Sequence, residues 1–168
     1  QFAKQYFTNF PPINTDSKIA LLNSDQDQQK LQKDITNVWV DENFSSQAEQ
    51  QFLADYGNKL IEENHIARIN RLIWDNKNDD AKRILYLVND DYQKLFVKIM
   101  AIDQNPQNLR NIISNIPRSL RNSELLAYKM IMWYKNNNKD LDDIVDILKN
   151  VPANTGNPQK WWPLRKLY

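Results

Sequence analysis

A chain of 168 residues with 41% hydrophobic content can bury a core, and a formal net charge of +1 leaves no electrostatic footprint for duplex nucleic acid or an anionic membrane surface. The absence of cysteine excludes a disulfide framework, a thiolate nucleophile and cysteine-ligated zinc. With two glycines, seven prolines and no strict apolar–polar alternation there is little from which to build a sheet, and no apolar run reaches the length of a membrane span.

At the start, Phe2, Tyr6 and Phe10 recur at a spacing of four, one face of a helix ended by Pro11-Pro12. A short helix over 16–22 follows, then a longer one over 25–40 with Leu31, Ile35, Val38 and Trp39 on one side. Ser46 with Glu49 three residues later reads as a capping box for a helix that carries Ala48, Phe52 and Tyr56 and stops at Gly57.

The stretch 60–88 reads as a helical hairpin. Ile66, Ile69, Leu72 and Ile73 form its apolar stripe, and Asn64, Arg68, Arg71 and Asp75 fall on another stripe, expected to be wet. The polar run 75–79 breaks the pattern, Asn78 or Asp79 is placed to cap a second helix, and Ala81, Ile84, Leu85 and Val88 give that helix its apolar face.

Asn89 caps a helix over 90–102 with Tyr92, Leu95, Phe96 and Ile99 as its stripe; a short helix with Leu109, Ile112, Ile113 and Ile116 ends at Pro117. Ser123 caps a helix over 124–134 with so little polar surface that it is expected to be the most buried. Asp140 caps a third short helix with Leu141, Ile144, Val145 and Leu148, ended at Val151-Pro152, and a last segment carries Trp161, Trp162, Leu164, Arg165 and Tyr168.

Short helices begin near Ala81, Leu109 and Leu141, roughly 28 and 32 residues apart, each preceded by a longer helix, a period expected of stacked helix pairs. The predicted fold is all-α: a right-handed α-α superhelix of stacked hairpins, a degenerate tetratricopeptide-like solenoid forming one domain over 1–168. Within it, 1–24 holds short N-terminal helices and 25–168 the helix pairs.

Catalytic arrangements are few. Glu62-Glu63 and Asp142-Asp143 sit at helix beginnings, where capping and the helix dipole account for them. His65 stands alone, without the second histidine of a metal site or a nucleophile to serve, and glycines only at Gly57 and Gly156 exclude a phosphate-cradling loop. No catalytic residue, cofactor or metal is expected. Trp161-Trp162 beside Arg165 has the makings of a sugar-stacking platform, but adjacent helical residues point about 100° apart, so core packing of at least one ring is favoured.

The segment ENHIARINRLIWD, with AEQQFLADY before it, AKRIL after it and NPQKWWPLRKLY at the end, resembles the superhelical region of soluble lytic murein transglycosylases of the proteobacterial type. The resemblance covers 38–168, with His65, Arg68, Leu72, Trp74, Trp161, Trp162, Leu164 and Arg165 as its most specific positions. It implies a periplasmic protein whose separate lysozyme-like domain cleaves peptidoglycan glycan strands and leaves an anhydro-muramyl end. This segment would shape the enclosure and position that domain, with peptidoglycan and the C-terminal catalytic domain as its partners. His65, Arg68, Trp161, Trp162 and Arg165 are then the candidate glycan or inter-repeat contacts. Neither the family's Glu-Ser-x-Phe nor its Gly-Leu-Met-Gln type motif occurs, so no catalytic residue carries over. Gln1 in place of methionine, and an apolar pattern reaching Tyr168 without a C-cap glycine, predict a segment of a longer chain. The competing expectation is a helical-repeat adaptor for a protein partner, which has the same composition and period.

Overall fold

Helical periodicity and local caps build the regular structure. The computed structural model describes residues 14–22, 28–139, 141–151 and 155–166; the expected aromatic helix at Phe2, Tyr6 and Phe10, the cap Asp140 and the stop at Pro152 lie outside them. Among the described residues the elements are ten α-helices and three 3-10 turns, with no strand, so the all-α class holds. In chain order the helices are α1 Thr15–Leu22, α2 Gln28–Asp41, α3 Ser46–Tyr56, α4 Glu62–Trp74, α5 Asn78–Arg83, α6 Asp90–Ile102, α7 Leu109–Ser114, α8 Glu124–Asn136, α9 Leu141–Asn150 and α10 Pro158–Arg165. The chain forms two compact units, Gln1–Asp75 and Asn76–Tyr168, and their boundary falls in the turn of the predicted 60–88 hairpin.

In the first unit α2 packs on α4, and the core gathers Ile35, Trp39, Phe52, Ile69, Leu72 and Ile73, the apolar positions the period identifies. The cap of α3 differs from expectation. Ser45, not Ser46, accepts from Ala48 N at 3.2 Å, and Glu49 does not close a capping box because its carboxylate is paired with Arg68. Gly57 does end α3, with right-handed φ of −57°, and passes the chain into a 3-10 turn over Gly57–Lys59. At the start of α4 the Asn64 side chain turns back to accept from Ile61 N at 3.0 Å, which satisfies a donor the helix itself leaves open.

The stripe expected to be wet is the larger departure. Arg68 is wholly buried, and Arg71 is only half-buried, because both guanidinium groups cap the C-terminal end of α2. Arg68 donates to the carbonyls of Trp39 and Glu42, the latter at 2.9 Å; Arg71 donates to those of Val40 at 2.9 Å and Glu42 at 2.8 Å, and to Asn43 Oδ1 at 2.8 Å. The last carbonyls of a helix have no partner within it and carry its negative dipole end, so two cations supplied by a neighbouring helix satisfy both demands. Arg71→Ala is therefore expected to lower stability by about 1–2 kcal/mol, more than an ordinary surface change, in urea melts followed by circular dichroism.

In the second unit Asn89 caps α6 as the pattern requires, accepting from Asp91 N at 3.1 Å and Tyr92 N at 3.2 Å, and Ser123 caps α8, accepting from Leu126 N at 3.4 Å. α5 is shorter than its apolar pattern: it ends at Arg83, and Leu85–Leu87 continue as a 3-10 turn, so Ala81, Ile84 and Val88 reach the core from two kinds of backbone. Neither Asn78 nor Asp79 caps α5; Asn78 is its first residue and donates its side-chain amide to Asp103 Oδ2 at 3.0 Å. Nor is α8 the most buried helix. Of its thirteen residues five are buried, one of them Lys129, against six of thirteen in α4.

A repeated backbone device accompanies the long–short alternation. The helices α4, α6 and α8 each have thirteen residues, and just beyond their ends Asn76, Asn105 and Asn138 adopt positive φ of 59°, 51° and 49°. Asparagine tolerates this left-handed region better than other non-glycine residues, so it closes a helix where the chain has almost no glycine.

Candidate functional site

His65 and Arg68 share one cluster in the first unit. α4 presents both on its inner face, α2 supplies Trp39, the link to α3 supplies Phe44, and α3 supplies Glu49 and Phe52. The Arg68 guanidinium lies 4.4 Å from the Trp39 ring centre and 4.7 Å from that of Phe44, and it meets Glu49 at 3.1 Å. Arginine suits this position because a planar, weakly hydrated cation stacks on aromatic faces while its edge donates hydrogen bonds. Trp39 also stacks on Phe52, with centroids 5.7 Å apart.

His65 is 8% exposed and meets Trp39 edge-to-face at 5.6 Å; its Nδ1 is buried without a hydrogen-bond partner. Burial is the main reason its pKa lies below 6.5, the nearby Arg68 acts in the same direction, and Glu62 opposes both. A depressed folded-state pKa means that the unfolded chain takes up the proton first. The stability that neutral His65 contributes is thus present above pH 6.5 and lost as pH falls through the folded-state pKa. The expected result is a lower urea midpoint at about pH 5 than at about pH 7.5, with a smaller difference in His65→Gln. An equal difference in the variant would assign the effect to other groups.

In the second unit the paired tryptophans take opposite roles. Trp161 is 1% exposed; its indole Nε1 donates to Glu124 Oε1 at 2.6 Å, and its ring meets Tyr128 edge-on at 5.6 Å. Trp162 is 63% exposed, with the Lys166 ammonium 5.2 Å from its ring centre. Arg165 is exposed as well. Of the residues singled out in the sequence, Trp162 and Arg165 are those open to solvent, whereas His65, Arg68 and Trp161 are enclosed.

Three glutamates are engaged with partners in the folded chain. Glu42 pairs with Lys18 and accepts from Thr15 at 3.2 Å, Glu49 holds Arg68, and Glu124 also accepts from Gly156 N at 3.0 Å. Glu62 is half-buried and Glu63 exposed. A further buried charge was not anticipated: Lys129 on α8 reaches Asp103, just past α6, at 2.6 and 2.8 Å. Trp133, one turn on, donates to Pro106 O at 3.0 Å. Trp133 in α8 and Arg71 in α4 are each the tenth residue of their helix; Arg71 ties its helix to carbonyls at the end of α2, and Trp133 ties its helix to a carbonyl in the loop after α6. No signal in the sequence identifies these partners, which lie 19 to 37 positions apart.

Among the described residues no group of histidine and acidic side chains is arranged to hold a metal ion, and no helix is long and apolar enough to cross a membrane. In comparisons with known proteins, no family model, no curated protein and no solved structure matches this chain.

Proposed function

We propose that this chain is the superhelical scaffold region of a soluble lytic murein transglycosylase, acting on peptidoglycan in the periplasm through a catalytic domain that lies elsewhere in the longer protein. The observation that carries the scaffold reading is the recurrence of a thirteen-residue helix, a left-handed asparagine and a shorter helix, beginning at α4, α6 and α8. Units of that kind suit stacking into a right-handed superhelix, since each hairpin has an apolar face to cover. The assignment to transglycosylases rests on the resemblance centred on ENHIARINRLIWD and NPQKWWPLRKLY.

In this reading the buried charges Arg68, Glu49 and Lys129 and the half-buried Glu124 fix helices to one another, and the exposed Trp162 ring is the surface offered to a sugar face. Lytic cleavage needs a carboxyl group poised as acid and then base at the glycosidic oxygen, a role assigned to the separate domain. The expected result is that this chain binds purified sacculi in a pull-down that Trp162→Ala weakens, and that it releases no anhydro-muramyl product detectable by mass spectrometry. The longer protein containing it does release that product. Product from the chain alone, lost on replacing one of Glu42, Glu49, Glu62, Glu63 or Glu124, would overturn the scaffold reading. A longer protein inactive on sacculi would favour a helical-repeat adaptor instead.

A further inference from the structure

Two opposite charges line one hollow of the second unit without pairing with each other. The hollow has a volume of about 200 Å³, small beside a drug-sized pocket. Ala127 and Met130 of α8, Ile147 of α9 and Val151 form its apolar wall, and Arg121 and Glu124 stand among its polar groups. The partners of both charges are neutral. Arg121 donates from Nε to Ile116 O and from a terminal nitrogen to Ser114 O, each at 2.9 Å, which leaves three of its five N–H donors. Glu124 accepts from the Trp161 indole at 2.6 Å and from Gly156 N at 3.0 Å, and each oxygen keeps a free lone pair. Both side chains are thus oriented by neutral groups, and among the described residues neither has an opposite formal charge paired with it.

We propose that this hollow binds a small zwitterion with an aliphatic side chain, of the apolar α-amino acid class. The ligand's carboxylate meets Arg121, its ammonium meets Glu124, and its side chain covers Ala127, Met130, Ile147 and Val151. An α-amino acid carries both charges on one end of the molecule, so the two polar groups are engaged together while the aliphatic end lies on the apolar wall. A peptide lacks that pairing of charges. The proposal stands apart from the transglycosylase reading and does not depend on it.

Calorimetric titration of the whole chain with L-leucine, leucinamide and 4-methylpentanoate tests it. Leucine is expected to bind saturably, and each analogue, lacking one charge, to bind about tenfold more weakly, since a hydrogen bond to a charged group is worth that much. In Arg121→Gln, leucine and leucinamide are expected to bind alike. Met130→Trp, which fills the hollow, is expected to remove leucine binding while circular dichroism stays that of the parent. Absence of saturable leucine binding by the folded parent chain would overturn the proposal. So would leucinamide binding as tightly as leucine, or an Arg121→Gln chain that still prefers the carboxylate.

Discussion

Replacing Arg68 by alanine is expected to destabilise the first unit by about 3–5 kcal/mol, the range found when one partner of a buried ion pair is removed. The change strands the buried Glu49 carboxylate, takes the guanidinium donor from the Trp39 carbonyl and one of two guanidinium donors from that of Glu42, and removes the cation lying against the rings of Trp39 and Phe44. Lysine is not expected to rescue it, because a point-charge ammonium cannot reach two carbonyls and a carboxylate while stacking on aromatic rings. Urea denaturation of Arg68→Ala, Glu49→Gln and the double variant measures the coupling directly. The double variant should lose less than the sum of the singles, since it leaves no unpaired buried charge. A loss below about 1 kcal/mol for Arg68→Ala would mean that the guanidinium is solvated in solution.

Trp161→Ala is expected to cost about 3–5 kcal/mol, as for other large aromatics deleted from a core, whereas Trp162→Ala should stay within about 0.5 kcal/mol of the parent. The two differ because Trp161 is buried against Tyr128 and bonded to Glu124, while Trp162 faces solvent. Glu124→Gln should recover part of the Trp161 interaction, since the amide oxygen still accepts from the indole. Heat or urea melts of the three variants check the order. Equal losses for both tryptophans would show that α10 packs through both rings.

The helical class, the long–short alternation and most of the buried apolar positions were legible in the sequence because each depends on neighbours three or four residues away. The caps Asn89 and Ser123 are local in the same sense, a side-chain oxygen meeting an amide within three residues. Burial of Leu72, Ile69, Leu95 and Ile99 follows from period alone. The polar residues of α4 show where such reasoning stops. Period places Arg68 and Arg71 off the apolar stripe, and a charge there is ordinarily solvated. Only the approach of α2, whose carbonyl end needs donors, buries Arg68 and half-buries Arg71. The same holds for Lys129, drawn to Asp103, and for Glu49, taken from its expected cap by Arg68.

Adjacent tryptophans look alike in the sequence, and the neighbouring α8, through Glu124 and Tyr128, decides that Trp161 turns inward and Trp162 outward. The sequence by itself therefore determined where helices form and which apolar residues they bury, because those are short-range properties of hydrogen bonding and hydrophobic period. The tertiary structure alone decided which charges are buried and with what, because a buried charge is tolerable only where distant groups supply its partners, and those partners are set by how helices meet.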